Sequence, residues 1–365
     1  MRTIRKRAFL KQLGWYTSGS LVLPKCLPNG NPDVQNRKLG VALVGLGYYS
    51  RDLLAPALEL TEHCELRGIV TGTPSKIPVW QEKYNILDRN VYDYNSMHRI
   101  ADNDDIDIIY IVVPTGLHMK YAVLAANTGK HVWCEKPMAM NVEECQKIID
   151  ACSKNKVKLS IGYRVQHEPN MQEIIEITKA NTFGAIKSLT AKAGYSGGVG
   201  DGWRFQKELG GGALYDMGVY TINGLRHASQ LEPIAVLKAD HSTTRPKYFR
   251  EVDETTTYTL EFPNGVIAQG ATSVGQNYNR LEVICESGSY YLSPMQSYNG
   301  LRGARSDGRQ IFTPIENQQA LQMDNDALAI MNNKDVLVPG IDGLRDIRIV
   351  NAIQKCASTG VRQSI

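Results

Sequence analysis

The chain has 365 residues, 42% hydrophobic and 21% charged, which describes a globular protein with room for two domains and excludes a disordered or fibrous one. Its formal charge of +4 comes from the N-terminus: residues 1–26 hold six lysines and arginines and no acid, so the rest sums to −2 and offers no nucleic-acid surface. The cysteines show no C-x-x-C spacing, the histidines no H-x-x-x-H pattern, and no run approaches ~18 apolar residues, so no disulfide framework, metal centre or membrane-spanning helix is expected.

Residues 1–26 read as an export signal. Arg5-Lys6-Arg7-Ala8-Phe9-Leu10-Lys11 is similar to the twin-arginine pattern, with Lys6-Arg7 where two arginines usually stand, and an apolar stretch from Leu13 to Leu23 follows. Such a signal places the mature protein in the periplasm; a plain basic N-terminus would leave it in the cytoplasm. Residues 27–37, rich in Pro, Gly and Asn, read as a linker or arm.

Residues 38–45 form a largely apolar run, the pattern of a strand buried on both faces of a parallel sheet. It opens into Gly45-Leu-Gly47-Tyr48-Tyr49-Ser50 and a helical segment over 51–62, so backbone N–H groups and a helix dipole are available for a pyrophosphate. Ser50 stands where the motif usually has Gly or Ala, and the strand–turn–helix context is what makes the motif informative. A second strand, 65–71, ends at Thr71-Gly-Thr-Pro-Ser-Lys76. Where an NAD site sets an acid against the ribose 2′-hydroxyl, this chain has hydroxyls and Lys76, which suit the 2′-phosphate of NADP better than NAD. Strands at 106–113, 131–135 and 158–162, with helices at 118–128 and 142–155, continue the alternation. They predict a doubly wound Rossmann domain over 38–163. Pro114, His118, Glu135 and Lys136 then stand at strand ends, along the same crevice as Gly45 and Gly47.

After Arg164 the pattern changes. A helix over 170–180, a strand over 186–195 and a glycine-rich loop over 196–202 lead through Trp203-Arg204 to Gly210-Gly-Gly-Ala-Leu-Tyr-Asp216-Met-Gly-Val-Tyr220. Three successive glycines resist helix propagation and read as a turn. The helix predicted over 213–226 stacks Asp216 and Tyr220 one turn apart on one face, with Gly218 leaving room for a flat ligand. Strands follow at 234–241, 254–262, 266–275, 281–286 and 289–292, with hairpin turns at Pro263-Asn-Gly265 and Ser287-Gly288. A polar loop over 294–316 and helices over 319–331 and 343–357 complete an α+β substrate-binding and oligomerisation domain, 164–365, with a mainly antiparallel open sheet. The C-terminal helices are expected to pack back on the first domain. Val266, Ile267 and Val283 suggest a partly apolar open face, and hence a homodimer or homotetramer through it.

Taken together, Gly45-x-Gly47, Glu135-Lys136-Pro137 and Gly210-Gly-Gly…Asp216…Tyr220 resemble the glucose–fructose oxidoreductase/inositol dehydrogenase (Gfo/Idh/MocA) family over roughly residues 38–360. Trp133-Cys-Glu-Lys-Pro-Met-Ala139, Trp203-Arg204 and Met217-Gly-Val-Tyr220 look most like the glucose–fructose oxidoreductase branch. The resemblance implies a nicotinamide at the sheet edge and a sugar between it and the second domain's sheet. Lys136 matches the lysine beside the reacting carbon, Tyr220 the acid/base position that is often His, and Asp216 its partnering aspartate. Trp203 and Arg204 match positions that close over the nicotinamide half of the cofactor. Thr71 and Lys76 match the NADP-selecting pair, and Tyr48 and Tyr49 complete the expected cofactor contacts.

Oxidising a sugar hydroxyl removes a hydride from carbon and a proton from oxygen. An ordinary Tyr, ionising near ~10, is a poor base at neutral pH. An ammonium from Lys136 beside it would favour the phenolate, and Asp216 could orient the lysine or the sugar hydroxyls. Two other readings stay open: an NAD-assisted glycoside hydrolase of the same family, and a non-catalytic NADP-binding protein. The joint presence of Lys136, Asp216 and Tyr220 argues against the second. Segments 163–170, 195–203 and 275–310 should line the sugar pocket without naming the sugar.

Overall fold

The structure, a computed structural model, describes residues 37–365; the expected export signal and all of the arm except Arg37 lie outside the described residues. β1 (Leu39–Val44), with five of its six residues buried, is the apolar run read above. It leads into a helical run over 48–58, π-wound at Ser50–Leu54 and continuing as α1 (Ala55–Leu58). β2 (Cys64–Val70), α2 (Ile77–Tyr84), β3 (Val91–Tyr92), β4 (Ile108–Ile111), α3 (His118–Asn127), β5 (His131–Cys134), α4 (Val142–Lys154) and β6 (Leu159–Ile161) follow. The six strands form a parallel sheet in the order β3-β2-β1-β4-β5-β6. Sequence patterning missed α2 and β3. α2 buries only Trp80 and so has no apolar stripe, and β3 has two residues.

Register sets what this sheet can hold. Val44 pairs with both Val70 and Ile111, and Ile111 pairs with Cys134. The C-terminal ends of β1, β2, β4 and β5 therefore make one level edge, with the loops that follow them side by side.

The second half begins with α5 (Arg164–His167) and α6 (Pro169–Lys179), the latter started by Pro169 and by the Glu168 carboxylate, which accepts from the N–H groups of Asn170 and Met171. β7 (Ile186–Ser196) precedes a π turn (Leu214–Gly218) that runs into α7 (Val219–Ser229). β8 (Ala235–Ser242), β9 (Thr255–Glu261), β10 (Ile267–Ser273), β11 (Gly275–Cys285), β12 (Ser289–Leu292), β13 (Gly303–Arg305) and β14 (Gln310–Ile311) come next. α8 (Gln318–Met331), α9 (Gly340–Thr359) and β15 (Gln363–Ser364) end the chain. These strands form a nine-stranded sheet, order β14-β13-β12-β11-β7-β10-β9-β8-β15. It is mainly antiparallel, as expected, with one parallel pair, β7 and β10, which the crossover through α7 permits. The expected polar loop over 294–316 instead contains the β13–β14 hairpin, whose strands of three and two residues are too short to show alternation.

One face of this sheet packs on helices, burying Leu189, Ala191, Leu281 and Val283. Val283, expected on the open face, is thus on the covered one, because alternation along β11 turns Glu282 and Ile284 outward instead. The open face carries Thr190, Lys192, Thr257, Thr259, Gln269 and Glu282, a hydroxyl-rich and charged surface with few apolar side chains.

Both C-terminal helices return to the first sheet. α8 packs on α1 and β2, where Asp324 accepts from the His63 N–H at 2.8 Å. α9 lies between the two sheets, against α4 and β6 on one side and α7 and β8 on the other. Arg226 of α7 is fastened there to Asp346 at 2.6 Å and Asp342 at 2.8 Å.

Candidate active site

The turn after β1 needs its two glycines for different reasons. Gly45 sits at φ +95°, and a Cβ there would come within 2.6 Å of the Val112 carbonyl oxygen. At Gly47 a Cβ would meet nothing within 4 Å, so its absence leaves backbone open to the cleft that the residue lines. Ser50 donates its hydroxyl to the Gly45 carbonyl at 2.5 Å, closing the turn onto the helical run.

Along the strand ends runs a cleft of about 470 Å³. Every cofactor contact expected from the sequence lines it: Gly45, Gly47, Tyr48, Tyr49, Thr71, Lys76, Pro114, His118, Glu135, Lys136, Trp203 and Arg204. Exposed turn backbone beside the start of a helical run fits a pyrophosphate. Beside the same turn Lys76 donates to the Leu46 carbonyl at 2.8 Å, and Thr71 Oγ1 accepts from the Thr73 N–H at 3.1 Å. Among the described residues lining the cleft the one acid is Glu135, which stands just past β5, whereas Lys76 follows β2, three strands away in the sheet. Glu135 is buried, accepts from the Tyr110 hydroxyl at 2.6 Å, and has its carboxyl pushed up by that burial. His118 is buried with its two ring nitrogens 2.8 Å from the carbonyls of Pro137 and Val113. It ties β4's loop to β5's and shapes the cleft instead of offering a free donor.

Trp203 and Arg204 reach the cleft from the second domain. Gly116 makes this possible: a Cβ there would stand 2.1 Å from the Glu208 carbonyl oxygen, so only glycine lets the turn at Lys207–Leu209 rest on the loop after β4. The Arg204 guanidinium lies 4.5 Å from the centroid of the Trp203 ring.

Lys136, just past β5, projects its ammonium to 4.5 Å from the Tyr220 ring centroid. That ammonium donates to the main-chain oxygen of Asp216 at 3.0 Å, within the π turn, a feature that recurs at functional sites. The Asp216 carboxylate points elsewhere. It accepts from Tyr195 Oη at 2.9 Å and Arg204 Nε at 3.0 Å. Burial alone would raise the Asp216 carboxyl, but the Lys136 and Arg204 charges and these two hydrogen bonds outweigh it and hold the group below the usual range. The expectation that this carboxylate orients the lysine is therefore corrected: the Asp216 backbone oxygen holds the lysine, while both charge-assisted bonds from the second domain fall on Oδ2 of a carboxylate that also lines the adjoining recess. Gly218 is corrected too. A Cβ there would meet the Leu214 and Thr272 side chains at 2.9 and 3.2 Å, so it is a packing glycine against β10, not a gap for a ligand.

Tyr220 lines both this cleft and an adjoining recess of about 510 Å³, walled by Tyr48, Tyr195, Phe205, Phe249, Gln296 and Tyr298. Its hydroxyl accepts from Arg164 Nη1 at 3.0 Å. Sequence reading placed the segment 163–170 along the sugar pocket without singling out Arg164, although the rule that placed Lys136, that residues just past parallel strands share one edge, applies equally just past β6. Tyr298 and Gln296 lie in the segment 275–310 expected along the sugar pocket, where no motif singled them out. His167 is buried beside Asn325 and lines neither recess. Among the described residues no cluster of His, Cys, Asp and Glu could hold a metal ion.

With the geometry in hand, similarity to known proteins is specific. Residues 39–163 match an oxidoreductase family with an NAD-binding Rossmann fold, and residues 171–291 match the GFO/IDH/MocA C-terminal domain. Among solved structures, an aldose-aldose oxidoreductase from Caulobacter crescentus complexed with glycerol is 35% identical, with a TM-score of 0.86 over 90% of this chain and 100% of that one. A levoglucosan dehydrogenase in complex with NADH and levoglucosan shares the fold, with a TM-score of 0.78 at 21% identity over 90% of this chain and 100% of that one. The D-xylose 1-dehydrogenase [NADP(+)] of Haloarcula marismortui is 24% identical over 87% of this chain and 91% of its own length.

Proposed function

The chain belongs to the GFO/IDH/MocA oxidoreductase family, and on that premise we propose that it is an NADP-dependent enzyme that moves a hydride to or from a sugar or sugar-derived polyol, with Tyr220 exchanging the hydroxyl proton. The observation that carries this reading is the position of Tyr220 at the border of the two recesses, under the Lys136 ammonium. A bound nicotinamide would supply or accept the hydride. This chain's residues do the rest. Lys136 and Arg164 favour the phenolate of Tyr220 that takes the sugar's proton, and in the reducing direction they stabilise the phenolate left when Tyr220 gives its proton up. Aromatic walls in the second recess suit the apolar faces of a sugar ring and exclude water.

NADP is favoured over NAD by Thr71 and Lys76 and by the missing acid after β2. The xylose dehydrogenase that the chain resembles is named for NADP, which agrees. Two copies are proposed to associate through the open sheet face, where Ile267 and Ile284 are available among the hydroxyls. A monomer in sedimentation at micromolar concentration would remove that part. Export rests on residues 1–26 alone, and cell fractionation decides between periplasm and cytoplasm.

Purified protein offered NADP and a panel of aldoses and polyols should reduce the cofactor with some of them, or retain a cofactor that cycles between two sugars. Release of free sugar from a glycoside, with no net cofactor change, would replace this reading with the hydrolase.

A further inference from the structure

We infer that Arg164 is the residue that positions and charges Tyr220: it is the built-in counter-ion of the phenolate and it aims the phenol's proton into the cleft. This rests on the reading of Tyr220 as the proton-exchanging group.

Arg164 is 1% exposed, which for a guanidinium normally demands a carboxylate partner. Among the described residues no carboxylate forms an ion pair with it; Glu135 acts on it only at longer range. Its hydrogen bonds go to Tyr220 Oη at 3.0 Å and Gln296 Oε1 at 3.4 Å, and its Nε has no partner. The guanidinium carbon lies 5.2 Å from the Tyr220 ring centroid and 4.7 Å from that of Tyr298, so two phenols sandwich the cation. A buried cation bonded to a neutral phenol is poorly compensated; the same cation bonded to a phenolate is paired.

Direction matters as much as charge. Arginine only donates, so one lone pair of Tyr220 Oη is committed to Nη1. The phenol's own hydrogen cannot point there and is left for the cleft. In the oxidising direction the C–H bond breaks with its electron pair leaving as the hydride that a bound nicotinamide would accept, the electrons of the breaking sugar O–H bond become the second bond of the carbonyl, and the proton passes to Oη; the reverse transfer runs along the same line.

The charged and titratable groups facing Tyr220 are Lys136 from the loop after β5, Arg164 from α5, Tyr49 from the helical run after β1 and Tyr298 from the loop after β12. Glu135 stands behind Arg164 and Tyr49, and Asp216 is engaged by Arg204. Lys136 approaches the ring face, and Arg164 reaches the oxygen itself.

The test compares Arg164→Met and Arg164→Lys, alone and with Tyr220→Phe, with folding of each checked by thermal melting. Arg164→Met should lower turnover about 10- to 100-fold at neutral pH, the worth of one charge-assisted hydrogen bond. The deficit should shrink as pH rises, because hydroxide in the medium replaces the missing cation in making phenolate. Arg164→Lys should recover most of the rate. Combined with Tyr220→Phe, Arg164→Met should cost almost nothing further. A loss that is independent of pH and equally large with Tyr220→Phe would overturn the inference and leave Arg164 a packing residue. Full turnover in Tyr220→Phe alone would instead remove the reading of Tyr220 on which it rests.

Discussion

Asp216 grips Lys136 by its main-chain oxygen, 3.0 Å from Nζ, while its carboxylate is turned to Arg204 and Tyr195. One residue therefore serves two parts of the site: its backbone fixes the lysine over Tyr220, and its side chain holds Arg204 at the cofactor cleft. Asp216→Asn should keep the first and weaken the second. Cofactor affinity should fall about threefold to tenfold, a modest loss because Arg204 is half-exposed and its ion pair is screened. Turnover at saturating cofactor should change less. A collapse in turnover as deep as that of Tyr220→Phe, at unchanged cofactor affinity, would show that the carboxylate joins in proton transfer.

Tyr220→Phe keeps the ring, its packing under Lys136 and the start of α7, and removes the transferable proton. Turnover should drop by about 10²–10⁴, the usual worth of a positioned general acid or base, with cofactor binding unchanged. Steady-state kinetics alongside cofactor titration measure both. Turnover within a few-fold of wild type would make Tyr220 a wall of the recess and nothing more.

Lys76→Ala should separate the two cofactors. NADP binding should weaken by roughly 10- to 150-fold, the range for one charge-assisted hydrogen bond, and NAD binding should hardly change. In the structure Lys76 is tied to the Leu46 carbonyl, so the measured loss is net of breaking that bond. Equal losses for both cofactors would mean that Lys76 supports the glycine turn and does not read the phosphate.

Arg226 is the cation of a buried cluster, bonded to Asp346, Asp342 and Glu232 between α7 and α9. Arg226→Met leaves the two buried aspartates without a counter-charge, and stability should fall by roughly 3–5 kcal/mol. Denaturant titration reads this directly, and a change within about 1 kcal/mol would show that the aspartates take up protons or water at little cost.

Asp326 of α8 faces Ser160 of β6, which donates to it at 2.7 Å. Burial pushes its carboxyl up to about 7, while the serine's hydrogen bond pulls the other way. A carboxyl raised on folding adds stability below its unfolded value near ~4 and loses it as pH climbs through the folded value. Asp326→Asn should therefore resemble wild type near pH 4 and gain on it steadily up to about pH 7. Parallel melting curves across that interval would refute the assignment.

Much of this molecule is legible along the chain because its physics is local. The run before Gly45 is buried on both sides, so it is apolar throughout; the turn after it needs φ above zero at Gly45, and Gly47 leaves its backbone open to the cleft. Alternating strands and helices force a parallel sheet, and a parallel sheet lines up its strand ends, which is why Gly47, Thr71, Pro114 and Lys136 could be assigned to one crevice before any coordinates. Tertiary structure alone decided how the polar groups inside that crevice are shared. Whether the Asp216 carboxylate faces Lys136, Arg204 or Tyr195 depends on competition among donors from separate segments, and spacing along one helix does not carry that information. The same holds for Arg164 and Tyr220, 56 residues apart, which meet because α5 runs into α6 and α6 packs on α7. Hydrogen bonds are short-ranged and directional, so they are settled at the last step, when the sheets and helices that carry them have already packed.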